Sequence, residues 1–219
     1  MLGFGSRIDP ALSARVLAVS MRLAAARLPG VIDVVPAYAS VALVLDPDSD
    51  LDASTLEASV RELLSTPVGP MILPRARSVL IPVCYGGSHG PDLPAVAGHA
   101  GLDPAQVIER HASAEYRVAM IGFKPGFPYL LGLDPALAMP RRATPRASVP
   151  AGSVAIGGPQ TGIYPAESPG GWQLIGRTGV RLFDPARERP SLLAPGDRVR
   201  FRPVAAQELA SARVEIVDA

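Results

Sequence analysis

Residues 121–200 hold 12 of the chain's 21 glycines and 12 of its 24 prolines. No long helix survives such a density, because proline removes a backbone donor and glycine adds conformational entropy that folding must remove. The segment must either stay unordered or be cut into short strands by closely set turns. Short β-prone runs recur between the turn residues, at 153–156, 171–175, 180–183 and 198–201, and Pro195-Gly196-Asp197 separates the last two. This pattern predicts a compact barrel or sandwich.

The first half has a different rhythm. Asp9-Pro10 reads as a helix cap with proline at the first helical position, and Leu12, Val16, Val19 and Leu23 follow on one face until Pro29-Gly30. Residues 31–38 and 41–45 read as strands, Asp52 caps a second helix carrying Leu56, Val60, Leu63 and Leu64, and 78–85 is again a strand. Helix, strand, strand, helix, strand is the ferredoxin-like βαββαβ order with its opening strand reduced to Leu2 to Phe4. Asp92 and Asp103-Pro104 start two short helices ending near His111, and 116–123 returns to strand. The expected class is α+β, with an α/β domain over 1–115 and a β-barrel domain over 116–219.

Composition removes several function classes. A 48% hydrophobic share over 219 residues supports a core, and a net charge of +1 gives nucleic acid or an anionic membrane little to grip. One cysteine and three histidines do not make a structural zinc site of the usual kind, and the single Cys84 fits a reducing cytoplasm. No leader-like N-terminus and no apolar run of ~18 residues is visible, so no membrane partner is expected. Of the 21 basic residues only Lys124 is lysine, and Pro125 follows it where a phosphate-binding loop requires serine or threonine.

Gly86-Gly87-Ser88-His89-Gly90 matches a nucleophile elbow, but the later histidines, His99 and His111, come too soon for that architecture. It reads as a glycine turn, Cys84 as core, and both later histidines as capping or surface residues. Gly122 to Thr178 is more informative. Phe127 and Tyr129 stand in a stiff Pro/Gly loop, and Arg141, Arg142 and Arg146 lie on a proline-flanked segment that forms either an anion grip or a solvated edge or interface. Glycine amides near Gly157 and Gly158 adjoin Gln160, Thr161 and Tyr164, groups able to hold an amide or oxyanion. Trp172 beside Gln173 is either a flat wall or core, and Glu167 either a general base or a turn carboxylate.

Segments 122–129, 140–146, 149–165, 168–178 and 193–201 resemble the family variously called allophanate hydrolase subunit 1, the sporulation-kinase inhibitor and the B subunit of 5-oxoprolinase. Leu28-Pro-Gly-Val, Val35-Pro-Ala-Tyr38 and Cys84-Tyr-Gly-Gly with Gly90-Pro-Asp-Leu93 extend the resemblance over nearly the whole chain. It implies an N-terminal α/β domain followed by a cyclophilin-like β-barrel. It also implies ATP-dependent opening of 5-oxo-L-proline to L-glutamate by a complex, the present polypeptide being inactive alone. The implied partners are a homologous carboxyltransferase-type subunit and a lactam-utilisation subunit, the C and A components of 5-oxoprolinase, with ATP bound here or by a partner. On that resemblance Arg142 and Arg146 would hold a carboxylate or phosphate, Gln160 and Gln173 the lactam amide, and Thr161 and Tyr164 a reacting oxygen. Trp172, Phe127 and Tyr129 would face the ring, with the Gly157 and Gly158 amides as further donors. Two other functions fit the same fold: inhibition of a histidine kinase, and a carboxyltransferase or allophanate hydrolase role in urea metabolism.

Overall fold

The computed structural model describes residues 1–66 and 77–217. The chain divides into two compact units, Met1–Pro74 and Arg75–Ala219. The first contains β1 (Leu2–Gly3), α1 (Pro10–Ala26), β2 (Val31–Pro36), β3 (Ser40–Leu45) and α2 (Ala53–Ser65). Its sheet is antiparallel in the order β1-β3-β2. Both helix starts follow from local chemistry. The Asp9 carboxylate accepts from the Leu12 N–H and the Asp52 carboxylate from the Thr55 N–H, each satisfying a donor that has no partner inside the helix. Val16, Val19, Leu23, Val41 and Val60 form the buried cluster of this unit.

The second unit contains β4 (Ser78–Tyr85), α3 (Leu93–Ala100), α4 (Pro104–Ser113), β5 (Tyr116–Ile121), β6 (Pro128–Leu131), β7 (Arg146–Val149), β8 (Ser153–Gly157), β9 (Gln160–Ile163), β10 (Ser168–Gly170), β11 (Gln173–Arg177), β12 (Arg198–Pro203) and β13 (Glu215–Val217). Strands run β11-β8-β9-β6-β5-β12-β4, and β4 pairs again with β11, which closes a seven-strand barrel. The early residues of β4 pair with β13 and its last two with β11, so one strand both closes the ring and carries an edge. Strands β7 and β10 form a separate ribbon. Inside lie Ile81, Leu130, Ile156, Ile163 and Ile175, none of them accessible to solvent. Full burial of such a side chain contributes about 1.5–3 kcal/mol, so the interior holds the unit together.

Three expectations need correction. The strand 78–85 is not the last strand of the ferredoxin-like order, because it pairs in parallel with β12 over six residues and buries Val79, Ile81 and Val83 in the barrel. For the same reason the packing groups 78–115 with the second unit, so the division falls earlier than the change in composition near 115 suggests. Residues 180–183 form no strand. Between Pro185 and Pro190 the chain turns back, leaving a single bridge from Phe183 to Ser191.

Candidate functional site

On the second unit, the loop after β5, the arginine segment and β10–β11 enclose a hollow of about 290 Å³. Its walls are aromatic. The Phe127 ring is the hub, edge-on to Trp172 at 5.5 Å and to Tyr164 at 5.2 Å, while Tyr129 meets Trp172 at 5.8 Å. Edge-to-face pairs at these separations are favourable because the rings' quadrupoles oppose. Gly157 permits the arrangement, since a Cβ there would come within 2.5 Å of the Trp172 ring. Larger grooves elsewhere on this unit, of about 640 and 710 Å³, are more open and lack such a wall of buried rings.

Phe123 closes one side of the hollow. It is 60% exposed and holds a positive φ of 65°, a conformation that costs a bulky residue roughly 1–2 kcal/mol. Gly126, at φ 80°, lets the loop lie against Leu182 and Phe183, which fixes its path. A strained aromatic side chain at the mouth of a cavity is where a ligand-facing role is expected.

The arginine segment is fastened from beneath. The Gln173 side-chain amide donates to the Pro140 carbonyl at 2.9 Å, and the Arg142 backbone N–H donates to the Gly171 carbonyl at 2.7 Å. Asp92, 6% exposed, takes the Arg146 guanidinium at 2.8 Å and the Arg142 guanidinium at 3.4 Å on one oxygen. Its other oxygen accepts from the Leu174 N–H at 2.6 Å. Asp92 occupies the N-cap of α3 but makes no side-chain cap bond, because its carboxylate serves this clasp instead. The glycine turn before it has the matching purpose. Gly86 donates to the Ile175 carbonyl, and a Cβ on Gly90 would collide with that same carbonyl, so only glycine lets the turn dock on β11.

Electrostatics keep the tyrosines protonated. Burial raises the Tyr164 hydroxyl above its usual pKa, against a hydrogen bond from the Trp172 backbone and the nearby Arg141 charge. Burial likewise raises Tyr129, again opposed by Arg141. Arg141 sits with its guanidinium carbon 5.8 Å from the Trp172 ring centre, a cation over an aromatic face.

A second polar cluster lies inside the barrel. His111, with no exposed surface, contacts the Tyr85 hydroxyl at 2.8 Å through Nδ1 and Thr161 Oγ1 at 3.0 Å through Nε2. Thr161 donates its only hydroxyl proton to the Ala155 carbonyl, so its contact with His111 must use a proton on Nε2. Nδ1 is then bare and accepts from Tyr85. Burial lowers the His111 pKa to about 3, consistent with this neutral ring. The imidazole also stacks on Phe201 at 4.8 Å.

The expected site residues therefore separate. Phe127, Tyr129, Tyr164, Trp172 and Arg142 line the hollow. Arg146 and Gln173 support its arginine wall from behind. Thr161 belongs to the barrel interior, and Gln160 is buried at the start of β9, opposite Gly157. Gly157 provides room for Trp172, and the Gly158 N–H is already bound to the Met139 carbonyl. The exposed Glu167 accepts from Ser148, as a turn carboxylate does, and Cys84 is buried with its thiol pKa raised. His111 corrects an expectation, being core rather than cap or surface. Asp92 and Phe123 had not been singled out as site residues, and Arg141 only as one of the three arginines of its segment. An aspartate at a helix start whose neighbours are glycine and proline was the only local signal for the first.

A closed barrel bearing a small aromatic and arginine-edged hollow is the architecture that the family comparison must account for. The chain belongs to the family described as carboxyltransferase domain, subdomain C and D, whose model matches residues 1–193. It is 48% identical over 176 residues to the B subunit of 5-oxoprolinase from Escherichia coli O157:H7, covering 80% of this chain and 79% of that protein. To the corresponding 5-oxoprolinase B subunit of Bacillus subtilis (strain 168) it is 39% identical over 210 residues, covering 92% and 87%. The crystal structure of TTHA0988 superposes with a TM-score of 0.80 at 45% identity, over 94% of this chain but only 39% of that one. Kluyveromyces lactis urea carboxylase shares the fold, with a TM-score of 0.77 at 20% identity. Among the described residues no helix is long and apolar enough to cross a membrane.

Proposed function

We propose that this chain is one subunit of a complex that opens 5-oxo-L-proline to L-glutamate with ATP, and that it is inactive without its companions. The observation that carries the reading is the hollow itself, whose flat aromatic walls suit a small ring and whose rim offers guanidinium groups and a protonated Tyr164 hydroxyl. Similarity to 5-oxoprolinase B subunits over most of both chains supports it. The family's carboxyltransferase description favours a second reading in urea breakdown, but the similarity to the urea amidolyases of Lachancea kluyveri and Saccharomyces cerevisiae covers 26% and 52% of this chain, less than the 80% and 92% covered by the 5-oxoprolinase B subunits.

An amide carbon resists water until its oxygen becomes a leaving group and the developing charge meets donors set in place beforehand. In this reading Trp172 and Phe127 hold the ring face and exclude water. Tyr164 donates to a ligand oxygen, because its own oxygen already accepts from the Trp172 backbone. Arg142, Arg146 and Gln173 keep the arginine wall in place. None of the residues lining the hollow is a lysine, the usual grip for a nucleoside triphosphate. Lys124 offers it no phosphate grip either, as its amine is bound to the Glu167 carbonyl. We assign ATP to a companion protein of the complex.

The test is reconstitution with the carboxyltransferase-type and lactam-utilisation subunits, measuring glutamate formed from 5-oxo-L-proline and ATP. The reading expects product only when this chain is present. Equal product from the companions alone, or none from the full assembly, would remove it.

A further inference from the structure

Of the three arginines beside the hollow, two are already committed: Arg146 and Arg142 both point at Asp92. Arg141 differs. Among the described residues it forms no ion pair, it lines the hollow, and its guanidinium lies over the Trp172 ring. Its charge also acts on both tyrosines of the wall. The geometry points to Arg141 as the residue that binds the ligand's carboxylate, with the hollow selecting a small flat ring that carries one carboxylate beside it. This deepens the proposed function and rests on it.

The argument is one of valence. A carboxylate has room for about four hydrogen bonds, and Asp92 already receives three, from two guanidinium groups and the Leu174 N–H. Adding a second anion to that clasp would set like charges against each other at a poorly hydrated position. A ligand carboxylate is better placed on the outer side, where Arg141 offers a planar fork that no carboxylate among the described residues occupies. There the ring can lie on Trp172 while its carboxylate reaches the guanidinium above the same indole. The family resemblance suggested Arg142 and Arg146, which carry the same charge but are paired with Asp92.

Trp172 is the chain's single tryptophan, so it reports on the hollow without interference. We would incorporate 5-fluorotryptophan in this chain only and follow the fluorine resonance, in the full chain alone and in the assembled complex. The probes are 5-oxo-L-proline and 2-pyrrolidinone, the same lactam ring without the carboxylate. Wild type should bind the first more tightly than the second by about ten- to a hundred-fold, the range of one lost charge-assisted pair. Arg141→Gln should abolish that preference while leaving pyrrolidinone affinity unchanged, and Arg141→Lys should restore part of it. Arg142→Gln should retain a preference for the carboxylate. If Arg141→Gln keeps the full preference, the assignment of Arg141 is wrong although the hollow binds lactams. If neither probe moves the Trp172 resonance in either preparation, the hollow is not the lactam site and both readings fall.

Discussion

The barrel unit holds two polar clusters that differ in whether their hydrogen bonds close. Within the barrel, Tyr85, His111, Thr161 and Ala155 form a chain in which each hydroxyl and ring nitrogen has a partner and no side chain reaches water on the Thr161 and His111 end. At the rim, the clasp of Asp92 with Arg142 and Arg146 is incomplete: among the described residues the buried Arg146 Nη1 has no partner and the neighbouring Arg141 forms no ion pair, and beside them lies an open hollow. Both clusters contain residue types capable of chemistry. The difference teaches that a closed set of hydrogen bonds marks structure, whereas donors left over beside a cavity mark a place prepared for something else.

The largest expected effect tests the closed cluster. The folded His111 pKa of about 3 lies below the ordinary 6.5, so between those values the unfolded chain binds a proton that the folded chain does not. Stability should be fully present above pH 6.5 and fall as pH drops towards 3, at up to about 1.4 kcal/mol per unit and on the order of 5 kcal/mol in all. His111→Gln should start less stable at pH 7 yet lose less on acidification, as read by denaturant melts from pH 7 to 4. Parallel pH profiles for the two proteins would reopen the cluster as something other than a neutral structural chain.

Next comes the clasp. Asp92→Ala leaves two guanidinium groups and the Leu174 N–H without their acceptor, and breaking such a pair costs about 3–5 kcal/mol. Chemical denaturation should show a loss of about that size, and Trp172 fluorescence should change as the arginine segment loosens. A loss within ~0.5 kcal/mol would mean the clasp is too solvated to order the rim. The smallest effect concerns Phe123. Phe123→Gly relieves the positive φ while removing two ring contacts, to Phe127 and Tyr164, so stability should move by less than about 1 kcal/mol in either direction. Lactam affinity should nonetheless weaken several-fold in a titration of the complex, and unchanged affinity would make Phe123 a bystander.

What the sequence revealed follows the range of the interaction responsible. Caps at Asp9, Asp52 and Asp103 were legible because the carboxylate and the amide it satisfies lie three residues apart. The sheet that receives β4 was not, since its long ladder partner, β12, begins 120 residues later. Short strands such as Ser168–Gly170 and Gln160–Ile163 carry glycine or proline, and only their neighbours make them strands. At the site, the aromatic residues stood out against a background of turn residues. Which arginines were free did not, because the carboxylate that occupies Arg142 and Arg146 sits 50 and 54 residues upstream.

The central claim, that the rim hollow works and the barrel interior supports, is tested most directly by comparing turnover of the assembled complex carrying Gly171→Leu with that carrying Thr161→Val. A Cβ on Gly171 meets only ordinary contacts, the nearest 3.6 Å away, so the larger side chain can fill the hollow without breaking the fold. Thr161→Val strands two buried partners and should cost about 1–3 kcal/mol of stability. The account predicts that Gly171→Leu lowers turnover per folded complex at least ten-fold, whereas Thr161→Val leaves it within about three-fold. The reverse pattern would contradict it and move the working site to the interior of the barrel.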